Sequence, residues 1–191
     1  MSSGVSNDDP EYLLGRRISV IGKGGKTTLS KALAERFDLE LIEQDAIRHQ
    51  ANWVERSNEE HLEVLMDVIA GAKHGWVSDG NYRSMGGDAL ADVETVIALA
   101  LPLRVMLWRT FKRSFWRAIK REELWNGNRE SFWEVFFTNR SVIYDVWIRR
   151  ERFRSFAEQA EAETPDGVRL IIIRSSKELN EFYEKHALVR R

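Results

Sequence analysis

The 191-residue chain contains no cysteine. That excludes a disulfide framework, a thiolate zinc site, an iron–sulfur cluster and a cysteine nucleophile together, and it fits a reducing, cytoplasmic setting. Long apolar runs are missing as well. The longest, Val96 to Leu101, is stopped by Pro102 and Arg104, far short of the roughly 20 apolar residues that span a bilayer, so no membrane partner is expected. Histidine is scarce: His49, His61, His74 and His186 show no metal-ligand spacing. The first ten residues are small, polar and acidic and lack the apolar stretch of a secretory signal. Residues 1–15 are therefore expected to be a flexible tail, and 16–191 a single domain. What remains is ordinary for a globular chain, with 43% hydrophobic and 31% charged residues, at a length that buries about 70% of the unfolded surface.

The net charge of −1 hides an asymmetry. Residues 1–103 carry 10 Lys/Arg against 17 Asp/Glu, residues 104–154 carry 13 against 6, and residues 155–191 carry 6 against 7. The basic excess sits in one central block. Such a block either binds polyanions, lies against bound phosphates, or is a solvated helical face.

Along the chain, strand and helix signals alternate. Arg17 to Ile21 is a β-branched run ending in Gly22, and Thr27 to Phe37 repeats apolar residues every fourth position, which predicts a strand, a turn and a helix. Leu39–Ile42, Trp76–Val77, Thr95–Leu101 and Val168–Ile173 predict four further strands, the last two continuous enough to be buried on both faces of a sheet. Ser57 with Glu60, and Ser175 with Glu178, have the spacing of helix-capping pairs. The pattern predicts an α/β fold with a five-stranded parallel sheet covered on both faces. In such sheets ligands bind beyond the carboxyl ends of the strands, so the residues after each strand carry the information.

After the first strand stands Gly22-Lys23-Gly24-Gly25-Lys26-Thr27-Thr28. Glycines let backbone N–H groups converge on phosphate oxygens, the helix start adds its positive end, a lysine adds a point charge and a threonine hydroxyl can ligate Mg²⁺. The spacing is two residues shorter than G-x-x-x-x-G-K-[ST], and a glycine turn that binds nothing has the same composition. Asp45 follows the second strand and Asp79 the third. A carboxylate there can hold a metal-bound water or accept a substrate hydroxyl, or cap a helix. After the fourth strand, Leu103, Leu107, Phe111, Phe115 and Ile119 recur every four residues, as do Arg109, Arg113, Arg117 and Arg121. Positions 107 and 109 lie about 200° apart on a helix. The apolar stripe is thus expected to dock on the core and the arginines to face away from it, over transferring phosphoryl oxygens or into solvent.

The chain resembles the small adenylate-kinase-like P-loop proteins often labelled DNA topology modulation proteins. The resemblance, over about residues 16–184, is carried by Val20-Ile21-Gly22 leading into Lys26-Thr27-Thr28-Leu29, by Ile42-Glu43-Gln44-Asp45 and by Trp76-Val77-Ser78-Asp79-Gly80-Asn81-Tyr82. Leu101-Pro102 with arginines after it, and Leu124-Trp125-Asn126-Gly127-Asn128-Arg129-Glu130, complete it. It implies a nucleoside-monophosphate-kinase-like three-layer sandwich with a basic helical lid at about 104–154. It implies ATP phosphates on Gly22, Lys23, Gly24, Gly25, Lys26, Thr27 and Thr28, and Mg²⁺ on Thr27 and Asp79. Catalytic roles would fall to Lys26, Asp79, Arg109 and Arg113, and acceptor binding to Asp45, Arg83 and Arg129.

Three functions follow as expectations. The first is an ATP-dependent kinase acting on a small-molecule or nucleotide phosphoryl acceptor. A nucleic-acid-linked NTPase or regulator is the second, suggested by the basic block. The third is a P-loop protein that binds ATP without turnover, suggested by the short loop. Oligomeric state leaves no signal in the sequence.

Overall fold

A computed structural model describes residues 13–80, 92–120 (side chains 114 and 117–120 excepted), 126 and 155–190. Five strands, β1 (Arg17–Gly22), β2 (Glu40–Glu43), β3 (Trp76–Asp79), β4 (Thr95–Leu99) and β5 (Arg169–Ile173), form one sheet in the order β2-β3-β1-β4-β5. Every pairing is parallel. This is the expected α/β class with a five-stranded parallel sheet. The helices are α1 (Lys26–Phe37), α2 (Gln44–Arg48), α3 (Asn58–Gly71), α4 (Leu103–Lys120), α5 (Phe156–Glu163) and α6 (Ser176–Lys185).

Strand residues alternate between two cores, because successive side chains point to opposite faces. Ile18, Val20, Val77, Ile97 and Leu99 pack with Leu29 and Leu33 of α1, Met106 of α4 and Leu179 of α6. Ile21, Ile42, Trp76, Val96 and Ala98 pack on the other face with Leu65 of α3 and Ala160 of α5. Ser57 accepts from Glu60 N–H while the Glu60 carboxylate accepts from Ser57 N–H, the expected capping box; Ser175 likewise accepts from Glu178 N–H at the start of α6.

Three expectations are corrected. The core begins before residue 16: Leu14 is buried and its carbonyl accepts a hydrogen bond from Thr95 Oγ1, so the tail boundary at 15 falls too late. The fifth strand is an edge strand, only Ile173 of β5 being fully buried, although its sequence is as apolar as that of central β4. The third correction concerns α4. Among its described side chains Met106 and Thr110 are buried, Leu103 and Leu107 are half-buried, and Phe111 is 40% exposed. On a helix wheel Arg109 and Arg113 lie on the flank of the Met106–Thr110 face rather than opposite the core. Among the described side chains of α4, the fully buried positions fall in its first two turns. Phe111 stacks instead between Trp108 and Phe115, at 6.2 and 6.0 Å between ring centroids. The expected lid beyond residue 120 lies outside the described residues.

Candidate functional site

All strands run the same way, so Gly22, Glu43, Asp79, Leu99 and Ile173 end at one edge of the sheet. The loop from Gly22 to Gly25 crosses that edge. Gly22, Gly24 and Gly25 have φ of 107°, 84° and 145°, conformations that L-residues with a Cβ rarely adopt. Space is as restrictive as dihedral: a Cβ on Gly22 would stand 2.4 Å from the Leu99 carbonyl oxygen. Helix α1 then starts at Lys26, and its N-cap, Gly25, supplies no side-chain acceptor. The first-turn N–H groups of α1, with the positive end of its dipole, are thus left to an external anion.

Lys26 Nζ lies 3.0 Å from Asp79 Oδ1, and both side chains are largely buried. The contact joins the first residue of α1 to the last residue of β3. Asp79 Oδ1 has no aligned hydrogen-bond donor among the described residues, so the lysine holds it as a charge and leaves its lone pairs open. Thr27 is half-buried on the first turn of α1, beside Lys26. Phosphate-cradling glycines, an uncapped helix start, a lysine and an under-satisfied buried carboxylate are the donor set that suits a nucleotide phosphate with Mg²⁺. No group of three or more His, Asp or Glu that could hold a metal ion occurs among the described residues.

Asp45 lies in the first turn of α2, two residues beyond Glu43, which pairs in register with Asp79. The two predicted carboxylates thus follow adjacent strands at one sheet edge. Asp45 also contributes to the surroundings of His61, whose pKa is lowered by burial first and by Arg48 and Arg56 next, against a raising effect of Asp45. Beside it, Arg48 holds Glu55 and Asn58. The following loop turns on Asn52 and Trp53, both at positive φ, and carries a half-exposed Trp53 edge-on to His49.

Arg109 does not project freely. Its Nη1 donates to the Gly24 carbonyl at 2.6 Å and its Nη2 to Ser176 Oγ at 3.1 Å. Burial lowers its pKa, and Arg190 lowers it further. Arg113, one turn on, is exposed. Lys23 and Thr28 stand on the loop and the first helical turn, half-buried and exposed respectively. Arg83, Arg117, Arg121 and Arg129 lie outside the described residues or side chains.

Sequence reasoning missed a buried polar row on the α3 side of the sheet. Gln44 is fully buried, donates from Nε2 to Ser78 Oγ at 2.5 Å, and has no partner for Oε1 among the described residues. Ser19, in register with Ser78, is a second buried hydroxyl, with no hydrogen-bond partner for its Oγ among the described residues. Gly80 is glycine because Gln44 Cβ would lie 2.8 Å from any Cβ there. Polar residues inside an otherwise apolar strand pattern were the available signal. Asn126 was assigned no role either: its Nδ2 donates to the carbonyls of Ala46, within α2, and His49, just after it. An open groove of about 350 Å³ along edge strand β2, between Lys31 and Val68, is bordered by none of the loop glycines.

No protein-family model matches the chain, and no curated protein matches it. Among solved structures, the chain is similar to an unliganded sugar kinase from Janibacter sp. HTCC2649, at 18% identity and a TM-score of 0.46, over 92% of this chain and 96% of that one.

Proposed function

We propose that the protein is an ATP-dependent phosphotransferase that passes the γ-phosphoryl group of ATP to a small-molecule or nucleotide acceptor. The observation that carries this reading is the Lys26–Asp79 pair, set between a glycine loop at positive φ and an uncapped helix start. Backbone N–H groups from Gly22 to Thr28 cradle the ATP phosphates, and Lys26 supplies a point charge with the α1 dipole behind it. Thr27 and Asp79 would hold Mg²⁺, which would neutralise negative charge on the phosphates. Asp45 orients the acceptor hydroxyl from the neighbouring strand end. Arg113 stabilises charge on the transferring phosphoryl group, and Arg83 and Arg129 take the acceptor's own charge.

ADP formation, measured across nucleoside monophosphates and hydroxyl-bearing metabolites, tests the proposal. Acceptor-stimulated turnover is the expected result. ATP binding by calorimetry with no turnover from any acceptor would leave a binding protein in place of a kinase. Arg113→Ala should lower kcat by roughly 10³-fold with ATP affinity nearly unchanged; an unchanged kcat would make it a solvated surface residue.

A second reading, nucleic-acid binding, is favoured by the outer face of α4, where Trp108, at 64% exposure, and Phe111 stack beside exposed Arg104 and Lys112. Rings and cations together suit single-stranded nucleic acid. Titration with oligonucleotides at two salt concentrations separates the readings, since phosphate contacts lose orders of magnitude in affinity as salt rises.

A further inference from the structure

The glycines of the phosphate loop make it costly to order. Its glycines at 22, 24 and 25 all sit at positive φ, and glycine gives up more backbone freedom on ordering than any other residue. The loop is two residues shorter than the common pattern, and the N-cap of α1 makes no side-chain hydrogen bond. Part of its order comes from outside the loop.

It comes from α4 and α6. Met106 lies behind Gly24, where a Cβ would meet its Cα and Cγ at 3.4 Å. One turn on, the Arg109 guanidinium lies against the loop: a Cβ on Gly25 would stand 3.2 Å from Nη1. That nitrogen donates to the Gly24 carbonyl at 2.6 Å, while Nη2 donates to Ser176 Oγ at the first residue of α6. A planar fork with fixed donor directions can make both bonds at once, which a lysine ammonium on a flexible stem does less well. With its carbonyl turned back to Arg109, Gly24 is held in the orientation from which the loop presents its N–H groups to the sheet edge.

We infer that Arg109 is a positioning residue, a brace that ties the shortened phosphate loop to α4 and α6 and pre-organises it for the nucleotide, rather than a catalytic residue acting on the transferring phosphoryl group. The inference rests on the phosphotransferase reading only for the identity of the ligand; the brace itself belongs to the unliganded protein. It also makes the loop answer to α4, because the helix cannot shift without moving Gly24.

The test has two arms. In the unliganded protein, hydrogen exchange is followed in the peptide spanning residues 22–28 for the parent, Arg109→Ala, Arg109→Lys and Ser176→Ala. The brace predicts at least tenfold faster exchange there in Arg109→Ala, nearly as much in Arg109→Lys, and a smaller increase in Ser176→Ala, with β1 and β4 amides exchanging as in the parent. Ser176→Ala keeps the guanidinium and removes one hydroxyl, so it reports even if Arg109→Ala fails to fold. In the second arm calorimetry with ATP and Mg²⁺ should show affinity lost by roughly 10- to 100-fold in Arg109→Ala, while kcat at saturating ATP changes little. Loop exchange unchanged in all three variants would overturn the brace. A large fall in kcat with loop exchange and ATP affinity unchanged would overturn it in favour of catalysis. If the parent itself binds no ATP, the phosphotransferase reading fails, and the exchange arm still decides the brace.

Discussion

Lys26 Nζ sits 3.0 Å from Asp79 Oδ1, joining the start of the first helix to the end of the third strand across the mouth of the glycine loop. Asp79 is only 5% exposed, and its oxygen faces the ammonium without the alignment of a hydrogen bond. The pair stores the two charges that the proposed function needs apart: the lysine on phosphate, the carboxylate on metal.

Lys26→Ala should therefore do two things. It should abolish detectable ATP binding, and it should cost about 3 kcal/mol or more of stability by leaving Asp79 buried without its cation. Lys23→Ala should weaken ATP binding by less. Urea unfolding of Lys26→Ala, Asp79→Asn and the double variant checks the pairing: the double variant should be more stable than the sum of the singles by at least about 1 kcal/mol. Strict additivity would show that the two charges do not depend on each other.

Asp79→Asn separates phosphate binding from metal binding. With Lys26 released, metal-free ATP should bind at least as well as to the parent, and the extra affinity contributed by Mg²⁺ should vanish. Calorimetry with and without Mg²⁺ reads both. If Mg²⁺ still tightens binding as it does in the parent, Asp79 is not its ligand.

Glycine at 22 is required by both backbone and neighbours. Gly22→Ala drives a Cβ to 2.4 Å from the Leu99 carbonyl at a φ of 107°, and a central-strand carbonyl cannot yield. We expect about 3 kcal/mol or more of destabilisation. Gly167→Ala, at a φ of 85° with nothing within 4 Å, should cost only the dihedral term, about 1–2 kcal/mol. Equal losses in thermal unfolding would contradict the steric account.

His186 supplies an acid-sensitive element. Burial against Phe182 pushes its pKa down from 6.5 to about 4, with Lys185 adding to the shift. Between those values the unfolded chain binds a proton that the folded chain does not, so stability is fully present above about pH 6.5 and falls as the pH drops towards 4. His186→Leu should remove roughly 2 kcal/mol of that loss. Urea midpoints of both proteins at pH 7.5 and 4.5 give the comparison, and parallel losses would show that His186 does not contribute.

Much of the site was legible because it is local. Gly22 to Thr28 is a contiguous segment whose composition states its chemistry, and Asp79 ends a short run of strand residues. Gln44 and Asn126 were not legible, because their meaning is a partner distant in sequence: Ser78 for one, the Ala46 and His49 carbonyls for the other. The face of α4 was misread for a related reason. A four-residue apolar repeat identifies a helix and a stripe, but which face is covered depends on how the helix packs against the sheet, here through Met106 and Thr110.

The sequence alone determined the strand–helix alternation, the parallel sheet, the capping pairs at Ser57 and Ser175 and the glycine loop with its lysine, since each follows from spacing and side-chain chemistry within a few residues. Tertiary structure decided the strand order, the edge position of β5, the Lys26–Asp79 contact and the inward turn of Arg109 onto Gly24. Those depend on which surfaces pack together, and packing selects among partners that local sequence leaves equivalent.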